Sequence, residues 1–227
     1  MKYFIGILLI GLLFVTACNL TGGSVTSDEC SSLEGPAKDD CYLEINKCSM
    51  IKSEIVRDSC VVELAMQKED IAVCDLVISE IAEARCVKEI AVISNDHAFC
   101  SEINDNYWKN NCHYELATNN NKEVYCSLIN NIEFKDKCFE KIALETENTL
   151  LCEFLDEKSS DACIFSIAKS KLDVKTCEQI TNSLTVNNCR YKLAKLTNDV
   201  ELCDSLSFSD MRQVCQEYFK ENNLGDI

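Results

Sequence analysis

Apolar positions return at a fixed interval along this chain. An aliphatic residue stands at Leu33, Ile51, Val77, Ile103, Ile129, Leu155, Ile180 and Leu206, each three positions after a cysteine. Residues three apart lie on one face of a helix. A second stripe is centred on a later cysteine, followed four and five positions on by an aliphatic–alanine pair: Leu64-Ala65, Ile90-Ala91, Leu116-Ala117, Ile142-Ala143, Ile167-Ala168 and Leu193-Ala194. Apolar positions at −4, 0 and +4 have helical spacing, and the small alanine lets a neighbouring helix approach closely.

Polar residues mark where these helices begin. Four positions before the first cysteine stand Asp70, Asp96, Asn148, Asp173 and Asp199, whose side-chain oxygens suit the free amides of a starting helix. Lys122 breaks the series, with Asn121 beside it as the expected substitute. Seven positions before the second cysteine stand Ser53, Ser79, Asp105, Asn131, Asp156 and Asn182, which predict the start of a second helix. Each repeat is therefore expected to be a helix of about two turns, a tight corner and a helix of about four turns. One such hairpin cannot bury its apolar face alone, whereas stacked neighbours can. The predicted fold class is all-α: an α-solenoid of about eight 26-residue helical-hairpin repeats over residues 30–222, followed by a short tail, 223–227. The first unit, with Gly35-Pro36, is expected to be an irregular N-terminal cap. At the other end Phe219-Lys220 replaces the aliphatic–alanine pair, as suits a terminal repeat with no successor.

Cysteine carries the same register. The first members are Cys30, Cys48, Cys74, Cys100, Cys126, Cys152, Cys177 and Cys203, and the second are Cys41, Cys60, Cys86, Cys112, Cys138, Cys163, Cys189 and Cys215. Ten or eleven residues separate the members of every pair, while the step between pairs falls from 14 positions to 7 between Cys41 and Cys48. That contrast predicts one disulfide inside each repeat. Pairing between repeats would also leave Cys30 and Cys215 without neighbours. Each bridge closes a loop of about 13 residues, which contributes roughly 3 kcal/mol on a chain-entropy account. Thiolate metal sites need several sulfurs grouped as C-x-x-C or similar. No such group occurs, so neither a metal nor another cofactor is expected.

The N-terminus places these cysteines in an oxidising compartment. Lys2 is followed by an apolar run from Phe4 to Val15, too short for a comfortable membrane span, which predicts a signal peptide over residues 1–17. The run ends in Val15-Thr16-Ala17-Cys18, which resembles the lipobox of prokaryotic lipoproteins. That resemblance implies lipidation of Cys18 and attachment to the membrane through the lipid. Residues 18–29, small and polar, are expected to form the lipidated cysteine and a flexible tether.

Of the 227 residues, 47% are hydrophobic and 26% charged, with a net charge of −16. Such a composition folds, and such a charge argues against nucleic acid as a partner. There is no phosphate loop or dinucleotide fingerprint. The two histidines, His97 and His113, occupy different repeat positions and are expected at the surface or half-buried. The most unusual segment, 104–125, sets aromatics among many asparagines. Trp108 shares its register with Val56, Ala82, Phe134 and Met211 and is expected in the core. Tyr107, Tyr114 and Tyr125 form a candidate exposed binding patch, since aromatic residues anchor interfaces.

In architecture the chain resembles disulfide-bridged α-hairpin repeat proteins such as the secreted Sel1-like group, within the wider tetratricopeptide-like solenoids. The likeness lies in the repeated hairpin, the small alanine packing sites and one cysteine pair per unit, although this period is shorter. It implies a protein-interaction scaffold and carries no functional residue. The expectation from sequence is a non-enzymatic, membrane-anchored extracytoplasmic lipoprotein that binds an envelope protein or a glycan. An envelope enzyme and a purely structural spacer are the alternatives.

Overall fold

A computed structural model describes residues 26–223. The signal sequence, Cys18, most of the tether and the end of the tail lie outside the described residues. Among those described there are helices and no strands, and the chain divides into two compact units, Met1–Cys60 and Val61–Ile227. The long helices are α3 Glu54–Lys68, α4 Glu80–Ser94, α6 Asn106–Asn120, α7 Ile132–Thr146, α8 Glu157–Lys171, α9 Ser183–Thr197 and α10 Ser209–Asn223; the short α-helices are α1 Ser27–Ser31, α2 Pro36–Glu44 and α5 His97–Glu102. Eight disulfides join Cys30–Cys41, Cys48–Cys60, Cys74–Cys86, Cys100–Cys112, Cys126–Cys138, Cys152–Cys163, Cys177–Cys189 and Cys203–Cys215. Every bridge stays within one hairpin, and their regular recurrence defines the array.

In the first unit, the end of the expected tether is already structured. Ser27 to Glu29 open α1, where the Glu29 carboxylate accepts the Thr26 amide at 2.9 Å. Gly35 then takes φ 61° and Pro36 opens α2. Glycine reaches that backbone angle without steric cost, and proline fits the first helical position because it has no amide to satisfy there.

In the second unit, the short helix of most repeats is not the α-helix its cap suggests. Ile71–Leu76, Glu123–Leu128, Thr149–Phe154, Val174–Gln179 and Val200–Ser205 are 3-10 helices, and α5 alone among the equivalents keeps α geometry. At each of these corners the amide of the conserved-register aliphatic donates to the carbonyl of the first cysteine, as in Val77 to Cys74 and Ile129 to Cys126. That i→i+3 bond tightens the turn in every one of these repeats, α5 included, where Ile103 donates to Cys100. The caps lie where the pattern puts them: Asp70, Asp96, Asn148, Asp173 and Asp199 each accept the amide two residues on. Asn121 does not substitute for Lys122. It is the left-handed residue that ends α6, and Lys122 caps without a side-chain bond.

Left-handed residues close every long helix from α3 to α9: Glu69, Asn95, Asn121, Glu147, Leu172 and Asn198, with φ between 50° and 54°. The residue after each donates its amide back to the alanine of the aliphatic–alanine pair, from Asp70 to Ala65 through Asp199 to Ala194. This is the Schellman closure of a helix end. The alanine therefore has two duties, since it is also fully buried at every repeat. Successive long helices of the second unit pack on one another, and their core joins the cysteines to Leu116, Ile129, Ile142, Ile167 and Leu193. Phe219 is buried against Ala194, Leu206 and Cys215, while Lys220 faces solvent.

A polar contact between repeats recurs two positions before the second cysteine. Asn110 accepts the Asn130 amide at 2.9 Å, and Asn187 accepts the Ser207 amide at 2.6 Å. Asp161 accepts the amides of Thr181 at 2.8 Å and Asn182 at 2.9 Å, along with the Thr181 hydroxyl at 3.0 Å. The first unit has the same device: Asp39 accepts the Lys52 and Ser53 amides, both at 2.9 Å, and these two donors hold its carboxyl below the usual range. These oxygens staple their hairpins to the corner of the next. Among the described residues of the second unit, two positions lack the staple. Ala84 has no acceptor, and Asp136, half-buried, makes no such bond.

Candidate functional site

Three surface or semi-buried groupings in the second unit carry chemistry. The first centres on Tyr107, in the opening turn of α6. Its ring is 57% exposed and meets Trp108 edge-on at 5.5 Å and Phe134 of α7 at 5.8 Å. Tyr114, two turns further along the same face of α6, meets the same Phe134 at 6.2 Å. Phe134 thus links two of the three tyrosines singled out by sequence. Tyr125 has other neighbours. It is half-buried between two core clusters, with its ring 5.1 Å from His97 and the Lys122 ammonium 5.6 Å from its centroid. Trp108, expected in the core, is half-buried and packs against the core cluster that holds Ala91, Cys100 and Leu116.

Beneath Trp108 lies an ion pair. The Lys88 ammonium of α4 is 6.0 Å from the Trp108 ring centroid and reaches Glu115 of α6 at 2.9 Å and Glu89 at 3.2 Å. Burial alone pushes the Lys88 pKa down; the two carboxylates outweigh it and leave the pKa above the ordinary lysine value. His113 is its opposite. The ring is only 3% exposed, against the expectation of a surface or half-buried residue, and its Nδ1 has no partner. Valine or phenylalanine fills the equivalent site at Val61, Val87 and Phe139. Burial first, then the charges of His97 and Lys109, pushes the His113 pKa down to about 4, so the ring is neutral at physiological pH. His97 is exposed, as expected.

The third grouping escaped the sequence reading. Val124 and Leu150 occupy one register position in consecutive repeats and are 61% and 64% exposed; Leu128 and Phe154 occupy another, four residues on, and are exposed as well. Phe154 stacks at 4.5 Å on Phe139 of the preceding repeat. Two positions either side of a buried cysteine point away from the core in a short helix. Apolar residues at those positions were the available signal.

Among the described residues no group of three or more His, Cys, Asp or Glu is placed to hold a metal ion, and no helix is long and apolar enough to cross a membrane. The eight disulfides fit an oxidising, extracytoplasmic compartment. No family description, curated protein or solved structure matches the chain.

Proposed function

We propose that this chain is a non-enzymatic extracytoplasmic lipoprotein, anchored through Cys18, whose hairpin array binds a partner protein of the cell envelope. The observation that supports this most is that Val124, Leu128, Leu150 and Phe154 are four exposed apolar side chains in matched register on adjacent repeats. Exposed apolar residues scattered singly need no explanation, whereas aligned ones mark interaction surfaces. A fold held by one disulfide per hairpin keeps such a surface rigid, which reduces the ordering cost of binding. Tyr107 supports a second reading, a glycan platform, because its exposed ring stands on a helix that carries Asn106, Asn110 and Asn111 and meets Phe134 of the next repeat.

Affinity capture from envelope extract tests both, with residues 19–227 as bait in wild-type form, as Val124→Ser with Leu150→Ser, and as Tyr107→Ala. The proposal expects one protein to be retained by the wild type and by Tyr107→Ala and lost from the double variant. Retention of a glycan that only Tyr107→Ala loses favours the second reading, and equal capture by all three forms refutes both. The anchor is tested separately: fatty-acid labelling is expected in the wild type and not in Cys18→Ser, and equal labelling refutes it.

A further inference from the structure

Ala84 interrupts the series of polar contacts between repeats. It stands where Asn110, Asp161 and Asn187 present a side-chain oxygen to the corner of the next repeat. The amides that such an oxygen would engage belong to Asn104 and Asp105, twenty and twenty-one positions on. With alanine at position 84 these amides, both at exposed residues, have no acceptor among the described residues and face water. In place of the staple is a groove of about 400 Å³ between α4 and the α5–α6 corner. Ala84, Val87 and Ile103 give it an apolar floor, with Ile81 exposed at the side. Glu80, Glu83 and Glu102 line its walls without ion pairs among the described residues.

These features define what fits. The two amides call for an acceptor oxygen. A carboxylate would supply one, but three unpaired glutamates repel it. A backbone carbonyl supplies the same lone pairs with no charge. The glutamates add attraction for a cation, and the floor suits the alkyl stem of a lysine or arginine, which buries its methylenes while its charge remains at the rim. We infer that the groove binds an extended, lysine- or arginine-bearing segment of a partner protein: a peptide carbonyl accepts the Asn104 and Asp105 amides, the stem covers Val87 and Ile103, and the cationic head sits among Glu80, Glu83 and Glu102. The ligand's carbonyl takes the role that Asn110 and Asp161 play within the chain. The groove is a separate surface from Val124–Phe154 and does not depend on it.

The test uses the oxidised domain 19–227 and the peptide acetyl-Gly-Lys-Gly-Lys-Gly-amide, with its glutamine counterpart as control. Calorimetric titration should show saturable binding of the lysine peptide that weakens with salt, and none of the glutamine peptide. Ala84→Asn adds no charge and supplies the missing acceptor. It should raise Tm by a few degrees and weaken the lysine peptide roughly tenfold, a rise in stability coupled to a loss of binding. Glu83→Gln with Glu102→Gln should weaken binding several-fold, while Glu153→Gln with Glu157→Gln, an equal change in net charge on other repeats, should not. Val124→Ser with Leu150→Ser should bind the peptide as the wild type does. Absence of saturable binding, equal affinity for the two peptides, unchanged affinity in Ala84→Asn, or equal losses in the two glutamate pairs would each overturn the inference. If Ala84→Asn does not fold, the two glutamate pairs still decide it.

Discussion

Replacing Asp161 with alanine should cost about 2–3 kcal/mol of stability, nearly all of it at one interface between repeats. The carboxylate is 4% exposed and accepts three hydrogen bonds, two from amides and one from the Thr181 hydroxyl. A net hydrogen bond to a charged acceptor is worth roughly 1.5–3 kcal/mol. Three do not sum to three times that, because Thr181 and Asn182 are exposed and water replaces the lost acceptor. Alanine itself causes no clash, since Ala84 occupies the same register. The total therefore falls near the value of one strong bond. Asp161→Asn keeps a neutral oxygen for Thr181 and loses the contact to Asn182, for about 1 kcal/mol; Asn110 and Asn187 already work in that form. Thermal unfolding of the oxidised domain should show a fall of about 5–10 °C for the alanine variant. An array need not unfold in one step, so the decisive assay is native-state hydrogen exchange, read at Thr181 and Asn182 and, for comparison, along α4 and α6. Faster exchange should be confined to α8, α9 and the Val174–Gln179 corner. A cost below about 0.5 kcal/mol, equal effects of alanine and asparagine, or loosening spread evenly over all repeats would refute the staple as the coupling device.

Other expectations follow from single residues. The His113 pKa is depressed from 6.5 to about 4 in the fold; between these values the unfolded chain holds the extra proton. Stability is then complete above pH 6.5 and lost as pH falls towards 4, by up to about 3 kcal/mol. His113→Val should remove that slope in denaturant titrations at stepped pH, and an unchanged slope would count against the buried neutral ring. Leu172 takes φ 52° with a branched side chain 50% exposed, so Leu172→Gly should stabilise by about 1 kcal/mol, and a loss of stability would show that the leucine side chain contributes more by packing than its backbone costs. Removing one central bridge, Cys126→Ala with Cys138→Ala, should cost about 2–5 kcal/mol and damage mainly adjacent repeats, as peptide mapping and local exchange would show.

Local devices were legible in the sequence; contacts between repeats were not. Cysteine pairs, the aliphatic three residues on, and the Asp and Asn caps each need one residue type at one spacing, so repetition exposes them. The staple involves partners twenty positions apart, and its own register holds Asp, Asn, Ala and Gln in turn, a mixture that resembles a solvated face. The left-handed corners were hidden for a different reason. Asn95, Asn121 and Asn198 are types that tolerate positive φ, but Glu69, Glu147 and Leu172 are not, and there the Schellman bond to the alanine outweighs local preference. The 3-10 geometry was obscured because a cap and an i,i+3 apolar pair fit both helix types. Of the proposed tyrosine patch, Tyr107 and Tyr114 share Phe134, whereas Tyr125 was separated from them by a turn of chain whose direction the sequence does not express.

The disulfides and the staples divide the work of holding the second unit together, and the exceptions show how. Every covalent bridge lies inside a hairpin, so no bridge joins one repeat to the next. Those interfaces depend on apolar packing and on the single oxygen before each second cysteine. Where the oxygen is missing, something else spans the same interface. Opposite Ala84, Lys88 of α4 reaches Glu115 of α6 at 2.9 Å. After Asp136, Phe139 of α7 stacks on Phe154 of the following repeat. Lys88 is buried and its carboxylate partners are partly so, and removing one side of such a pair leaves the other charge incompletely solvated and without its partner. Lys88→Met should therefore loosen the α4–α6 interface more than the same change at an exposed lysine such as Lys141. Lys88→Met with Glu115→Leu should recover much of the loss, since two apolar groups replace a pair that had offset its own desolvation. If the single and double variants are equally damaged, the ion pair is not what compensates for Ala84, and the interface must depend on the apolar contacts of Val87, Ile103 and Leu116 alone.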